Sequence, residues 1–140
     1  MAYIDTSLLV AYYCPEPLSA RAQEALTGLD MPVISPLVEV EAFSAVAAKV
    51  RAKQLDATAA RGILDVFQKH LAEGYYGIVP IGAAEYRLAR DWLGEFTGGL
   101  RTLDALHLAA AFTHNLAILT ADRTLAKAAG HYGLHHELFA

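Results

Sequence analysis

Residues 117–129, AILTADRTLAKAA, pass from a short apolar run through an aspartate into a helical pattern of alanine and leucine. Ala117 to Leu119 predicts a strand, Thr120-Ala121-Asp122 its end, and the residues up to Ala129 a helix. The first residues repeat the arrangement. Ala2 to Ile4 is a short apolar run ending at Asp5, and Thr6 to Tyr13 reads as a short helix stopped by Pro15 and Pro17.

The stretch between them alternates in the same manner. Leu18 to Leu29 reads as a helix and Val33-Ile34 as a minimal strand. Ser35-Pro36 suits an N-cap followed by the first helical position, opening a helix to about Lys53 that should be largely buried. A helix from Asp56 or Thr58 to Glu73, a strand over Tyr76 to Ile81, and a helix over Ala83 to Phe96 follow. Beyond the loop Thr97-Gly98-Gly99, Thr102 to Asn115 is an alanine-rich helix, and a last short strand is expected near Leu134 to His136. Strands separated by helices imply an α/β fold, with a short parallel sheet of about four to five strands between two helical layers. No repeat, linker or low-complexity tract divides the chain, so residues 1–140 are read as a single domain.

Composition narrows the function classes. Eleven Lys and Arg stand against fifteen Asp and Glu, a net charge of −4, and 55% of the 140 residues are apolar. Such a chain can build a core and is not disordered by composition. Its acidity argues against a protein that coats nucleic acid by charge alone. The single cysteine, Cys14, forms no internal disulfide and fits a reducing cytosol. No stretch has the roughly 20 apolar residues of a membrane span. The N-terminus lacks the basic segment of a signal peptide, so a cytoplasmic location is expected.

In parallel sheets, sites form beyond the carboxyl ends of strands. Asp5 and Asp122 both lie there, and Asp104 starts the helix after the Gly98-Gly99 loop, so the three can share one edge. Each alone is explained as a helix cap or first-turn acid, worth about 0.5–2 kcal/mol. Together they repel: two carboxylates ~4 Å apart cost about 4 kcal/mol at an effective dielectric near 20. A cation or a shared proton relieves this, and an all-oxygen set suits Mg²⁺ or Mn²⁺ rather than zinc. The helix from Ser35 adds Glu39 and Glu41. The helix dipole explains Glu39, whereas Glu41 lies among Leu37, Val38, Ser44 and Ala45 with no basic partner. Periodicity does not choose between the two.

Other chemistry is scarce. His107 and His114, seven apart on one helix, are too far apart for one ion, and His135-His136 points two ways if extended. All six histidines are assigned structural or surface roles, because a catalytic zinc needs three converging ligands. There is no phosphate-cradling loop, dinucleotide fingerprint or serine elbow, and Cys14 has no basic sequence neighbour to activate it. Lys49, Arg51 and Lys53 read as a solvated helix end. Arg101 and Arg123, beside the acidic segments, are better placed to meet a phosphate.

Four segments carry a resemblance: YIDTSLLVAYY, SPLVEVEAFSAV, LRTLDALHLAAA and LTADRTLAKAA. In order, spacing and total length they resemble the PIN domain, specifically the VapC-type toxins of bacterial toxin–antitoxin pairs. The resemblance implies a PIN-like α/β/α fold. It implies an acidic quartet of Asp5, Glu41, Asp104 and Asp122, with Glu41 preferred over Glu39 because Ala42-Phe43-Ser44-Ala45 follows it. Ser7 and Thr120 match small hydroxyl positions flanking the acids. The implied activity is a single-strand-directed endoribonuclease dependent on Mg²⁺ or Mn²⁺. Asp5, Glu41 and Asp104 would ligate the main ion, with Asp122 supporting it or a second one. The implied partners are an RNA substrate, a cognate antitoxin and a second copy of the chain. Leu8, Leu9, Tyr12 and Tyr13 offer either a groove for a partner helix or ordinary core. Two other functions fit the same pattern, an RNA-processing PIN nuclease without an antitoxin and a non-catalytic PIN-fold interaction module. The presence of all four acids argues against the latter.

Overall fold

A computed structural model describes residues 1–140. Five strands, β1 (Ala2–Ile4), β2 (Pro32–Ile34), β3 (Gly77–Ile78), β4 (Ala117–Thr120) and β5 (His136–Leu138), form one sheet in the order β3-β2-β1-β4-β5. Every pairing is parallel. Seven helices connect them: α1 (Thr6–Tyr13), α2 (Ser19–Thr27), α3 (Pro36–Arg51), α4 (Ala57–Ala72), α5 (Ala83–Leu93), α6 (Thr102–Thr113) and α7 (Arg123–His131).

The chain winds outward from β1 through β2 to β3, then returns past β1 to lay down β4 and β5. Right-handed crossovers in opposite directions put their helices on opposite faces. Accordingly α1 packs on α2 and α3, and α3 on α4, while α6 packs on α5 and α7. The expected three-layer α/β/α arrangement with a five-stranded parallel sheet is what the chain adopts. No helix is long and apolar enough to cross a membrane.

The central strands are buried on both sides, as a parallel sheet covered by helices requires. Tyr3 and Ile4 pair with Ile118 and Leu119, and all lie in the core with Leu8 and Leu9 of α1. Leu8 and Leu9 are fully buried, so of the two readings of α1 they take the core one, while Tyr12 and Tyr13 are half-buried. α6 is buried almost throughout, from Ala105 to Ala111, which explains its run of small residues.

Several local expectations differ from the structure. α3 is not largely buried: only Val38, Ala42 and Val46, one stripe at a spacing of four, reach the core, and Val40 faces outward. Ser35 occupies the N-cap position of α3 but makes no capping bond, because its hydroxyl pairs instead with Tyr3 of β1. β3 shrinks to two residues at the sheet edge, and β5 lies two residues beyond the expected strand, after the turn at Gly133 (φ +75°). α5 stops at Leu93, and Phe96 takes a left-handed φ of +58°, which a helix does not continue through.

Candidate functional site

The sheet order reverses between β1 and β4, so the loops after these strands diverge and leave a crevice at their carboxyl ends. Asp5 follows β1 and Asp122 follows β4. The first turn of α6 brings Asp104 to the same edge, and α3 brings Glu41.

Asp5 is 5% exposed and sits in a closed hydroxyl network. Its Oδ2 accepts from Ser7 Oγ at 2.6 Å and from Thr120 Oγ1 at 2.8 Å, with the Ser7 amide at 3.4 Å. Each hydroxyl has a single hydrogen, committed here to Asp5. Each oxygen then accepts from the backbone beyond β4: Ser7 Oγ from the Ala121 amide at 3.0 Å, and Thr120 Oγ1 from the Asp122 amide at 2.9 Å. The two flanking hydroxyls thus tie the first strand's aspartate to the turn that carries the other.

Glu41 is anchored through one oxygen. Thr6 Oγ1 donates to its Oε1 at 2.7 Å, and His107 Nε2 is hydrogen-bonded to the same atom. Burial alone would raise the Glu41 carboxyl, but the hydrogen bond and attraction of His107, with Thr6, hold it below the ordinary carboxylate range. Glu39, the other candidate, is half-buried and, two positions away on α3, lies about 200° round the same helix.

Asp104 is half-buried and makes no capping bond. Its carboxyl is raised, first by burial and then by the charges of Asp122 and Asp5, against the opposing pull of His107 and Arg101. The three aspartates therefore share one field. Asp122 also caps α7, its Oδ1 accepting from the Thr124 and Leu125 amides at 2.8 and 3.3 Å. Capping and membership of the acidic edge coexist in this residue.

Of the structural and surface roles expected for the histidines, His107 takes a structural one, at the site itself. It is not peripheral: at 1% exposure it stands between Glu41 and Asp5, with Nε2 3.9 Å from Asp5 Oδ1. The available signal was its spacing of three from Asp104, which puts both on one face of α6. Of the basic residues, Arg101 lines an open cleft with Glu41, Thr102, Leu103 and Asp104, and Arg123 is exposed at the start of α7. Lys49 is not simply solvated, since it pairs with Glu16 at 3.5 Å. Burial pushes the Cys14 thiol up despite the nearby Lys49, which disfavours the thiolate.

As they stand, no three Asp, Glu, His or Cys side chains converge on a point as a preformed metal cage. The donor set nevertheless fits Mg²⁺ or Mn²⁺ in kind. The fixed hydrogen bonds to Asp5 and Glu41 end on one oxygen of each carboxylate. Mg²⁺ is commonly held by one or two carboxylates and several waters, not by an all-protein cage.

Comparison with known proteins places the fold and the family. A model of the PIN domain matches residues 2–131. No curated protein matches the sequence. Among solved structures, the chain is similar to VapC20 of Mycobacterium tuberculosis, a toxin that cleaves the sarcin–ricin loop (15% identity, TM-score 0.73, 96% of each chain covered). It is also similar to VapBC2 of Rickettsia felis, bound to a DNA fragment from its promoter (18% identity, TM-score 0.68, 100% of each chain). A third is VapBC-5 of Mycobacterium tuberculosis, a member of the VapBC family of toxin–antitoxin systems. It is 19% identical, with a TM-score of 0.61, and the match covers 99% of this chain and 96% of that one.

Proposed function

The chain belongs to the PIN domain family, and from that premise we propose that it is a divalent-cation-dependent, single-strand-directed endoribonuclease acting as the toxin of a toxin–antitoxin pair. The observation that carries this reading is the acidic field at the crevice between β1 and β4: Glu41 and Asp104 line one cleft, and His107 Nε2 lies against Glu41 and 3.9 Å from Asp5 Oδ1. A cation relieves such a field, and the crevice lies where parallel sheets bind ligands. Asp5, Glu41 and Asp104 hold the ion, with Asp122 beside them. When bound, Mg²⁺ or Mn²⁺ lowers the pKa of a coordinated water and neutralises charge on the phosphodiester.

The chain's own groups prepare the site. Ser7 and Thr120 fix Asp5, Thr6 and His107 fix Glu41, and Arg101 stands in the cleft to meet a backbone phosphate. Without the four acids the chain carries 15 − 4 = 11 acids against 11 bases. A loaded site therefore removes most of the repulsion toward RNA. The antitoxin partner belongs to the same reading, supported by likeness to toxin–antitoxin assemblies, and the homodimer rests on the family resemblance alone.

The test is a melting-temperature titration with Mn²⁺ and Mg²⁺ on wild type and Asp104→Asn, followed by cleavage of a single-stranded RNA. Binding to the folded state raises the melting temperature by mass action. A dose-dependent rise and cleavage in wild type, both lost in the variant, support the assignment. No response in either protein refutes it, and an equal response in both means the ion binds elsewhere. Growth arrest on expression, relieved by a partner protein, supports the toxin role. An active nuclease that is harmless when overexpressed points instead to RNA processing.

A further inference from the structure

A line of buried polar groups runs from Glu41 into the protein interior, and the reading above uses only its first member, the His107 contact to Glu41. Beyond Glu41 Oε1 stands His107, whose other ring nitrogen, Nδ1, is 2.7 Å from the Tyr3 hydroxyl. The Tyr3 hydroxyl in turn is 2.8 Å from Ser35 Oγ. Tyr3, Ser35 and His107 are all at most 1% exposed. They come from β1, the residue before α3, and α6, so three elements meet on this line. Ser35 forgoes the capping bond open to it and pairs with Tyr3 instead.

The inventory of hydrogens sets the direction of the contact at Glu41. A carboxylate that holds a cation is ionised and can only accept. Nε2 must therefore carry a hydrogen, whether the ring is neutral or protonated. In the neutral ring Nδ1 accepts from Tyr3, and in the protonated ring it donates to Tyr3. In neither case has Nε2 a lone pair for a metal ion, although it lies beside both Glu41 and Asp5. With His107 and Thr6 both on Oε1, the Glu41 carboxylate is pinned through a single oxygen.

We propose that His107 is a positioning residue, not a ligand: its Nε2–H, aimed by Tyr3 and Ser35, locks the Glu41 carboxylate in one orientation for the cation. This rests on the cation-dependent reading of the same site. It gives the buried tyrosine and serine a task, orienting a ring that would otherwise rotate. Donors to ligating groups of this kind affect metal affinity by about 10–100-fold when removed.

The experiment is a calorimetric Mn²⁺ titration of the full chain as wild type, His107→Leu, His107→Gln and Tyr3→Phe. Thermal melts verify folding, and ¹⁵N spectra of the imidazole read the hydrogen on Nε2 in the metal-free protein. His107→Leu should bind Mn²⁺ about 10–100-fold more weakly. Gln can place an amide N–H near Nε2, so His107→Gln should recover most of the loss, which a purely structural role for the ring would not give. Tyr3→Phe, one bond further from the carboxylate, should weaken binding by about 10-fold, the lower margin of that range. Should His107→Leu fail to fold, the Gln and Phe variants decide. Wild-type affinity in folded His107→Leu, a Gln variant no tighter than Leu, unchanged affinity in Tyr3→Phe, or an Nε2 without hydrogen would each overturn the proposal. Absence of Mn²⁺ binding in wild type would overturn the cation-dependent reading itself, and the positioning role with it.

Discussion

Replacing Thr120 by valine keeps the shape of a fully buried side chain and removes one oxygen. That oxygen donates to Asp5 Oδ2 at 2.8 Å and accepts from the Asp122 amide at 2.9 Å. A hydrogen bond to a charged group contributes about 1.5–3 kcal/mol, and an orphaned buried amide costs about 1–3 kcal/mol. Burying a methyl in place of the hydroxyl returns about 0.8 kcal/mol. Because the turn can relax, the losses do not add fully, and we expect a net destabilisation of about 2–4 kcal/mol. At roughly 4 °C per kcal/mol for a domain of this size, the metal-free protein should melt about 8–16 °C lower. The assay is urea unfolding followed by circular dichroism, with Thr120→Ser as the control that keeps the oxygen. Ser7→Ala removes the companion donor on Oδ2. The double variant should deviate from additivity by about 0.5–3 kcal/mol, as neighbours sharing one acceptor do. A Thr120→Val protein within ~0.5 kcal/mol of wild type, the range of ordinary surface changes, would refute the network. So would strict additivity with Ser7→Ala.

Three further outcomes are expected. Asp104 is raised in the folded state, so folding favours its protonated form and loses that preference as pH rises from the unfolded carboxylate range through the folded value. Metal-free Asp104→Asn should therefore melt above wild type at pH 7, with the gap closing on acidification; a gap that widens toward low pH would contradict the assignment. Leu108→Ala empties a fully buried position of α6 and should cost about 2–5 kcal/mol in denaturant unfolding. Lys53, just beyond the α3 C-cap, holds a φ of +59°. Glycine there should raise stability by about 0.5–1 kcal/mol, less than the full left-handed penalty because glycine also loses more freedom on folding.

The strand–aspartate–helix units were legible because their signals are local. A short apolar run, an acid and a helical pattern stand side by side at Tyr3–Asp5 and again at Ile118–Asp122, and the parallel sheet follows from their alternation with helices. Ser7 and Thr120 are close in sequence to acids, and the structure places both on Asp5. His107 was not legible in that way. Its partners lie 66 and 104 positions away, and its alanine-rich surroundings look like core. Ser35 misled for the opposite reason: its local preference to cap α3 gives way to a tertiary bond that sequence does not display. β5 carries His136 and Glu137 at an exposed edge, so no hydrophobic alternation marks its register.

The reversal of strand order at β1 also bears on timing during synthesis. β1 is made first, yet its Asp5 acquires the Thr120 hydroxyl and the company of Asp122 only after β4 has been laid beside it. With 115 positions between Asp5 and Thr120, translation at about 5–20 residues per second separates the two events by roughly 6–23 s. Through that interval the emerging chain holds Asp5 and Glu41 but not their partners from α6 and β4. A ribosome-bound fragment thus lacks the assembled acidic site that the proposed cleavage needs. The proposed site is therefore complete only as the sheet closes, after most of the domain has emerged.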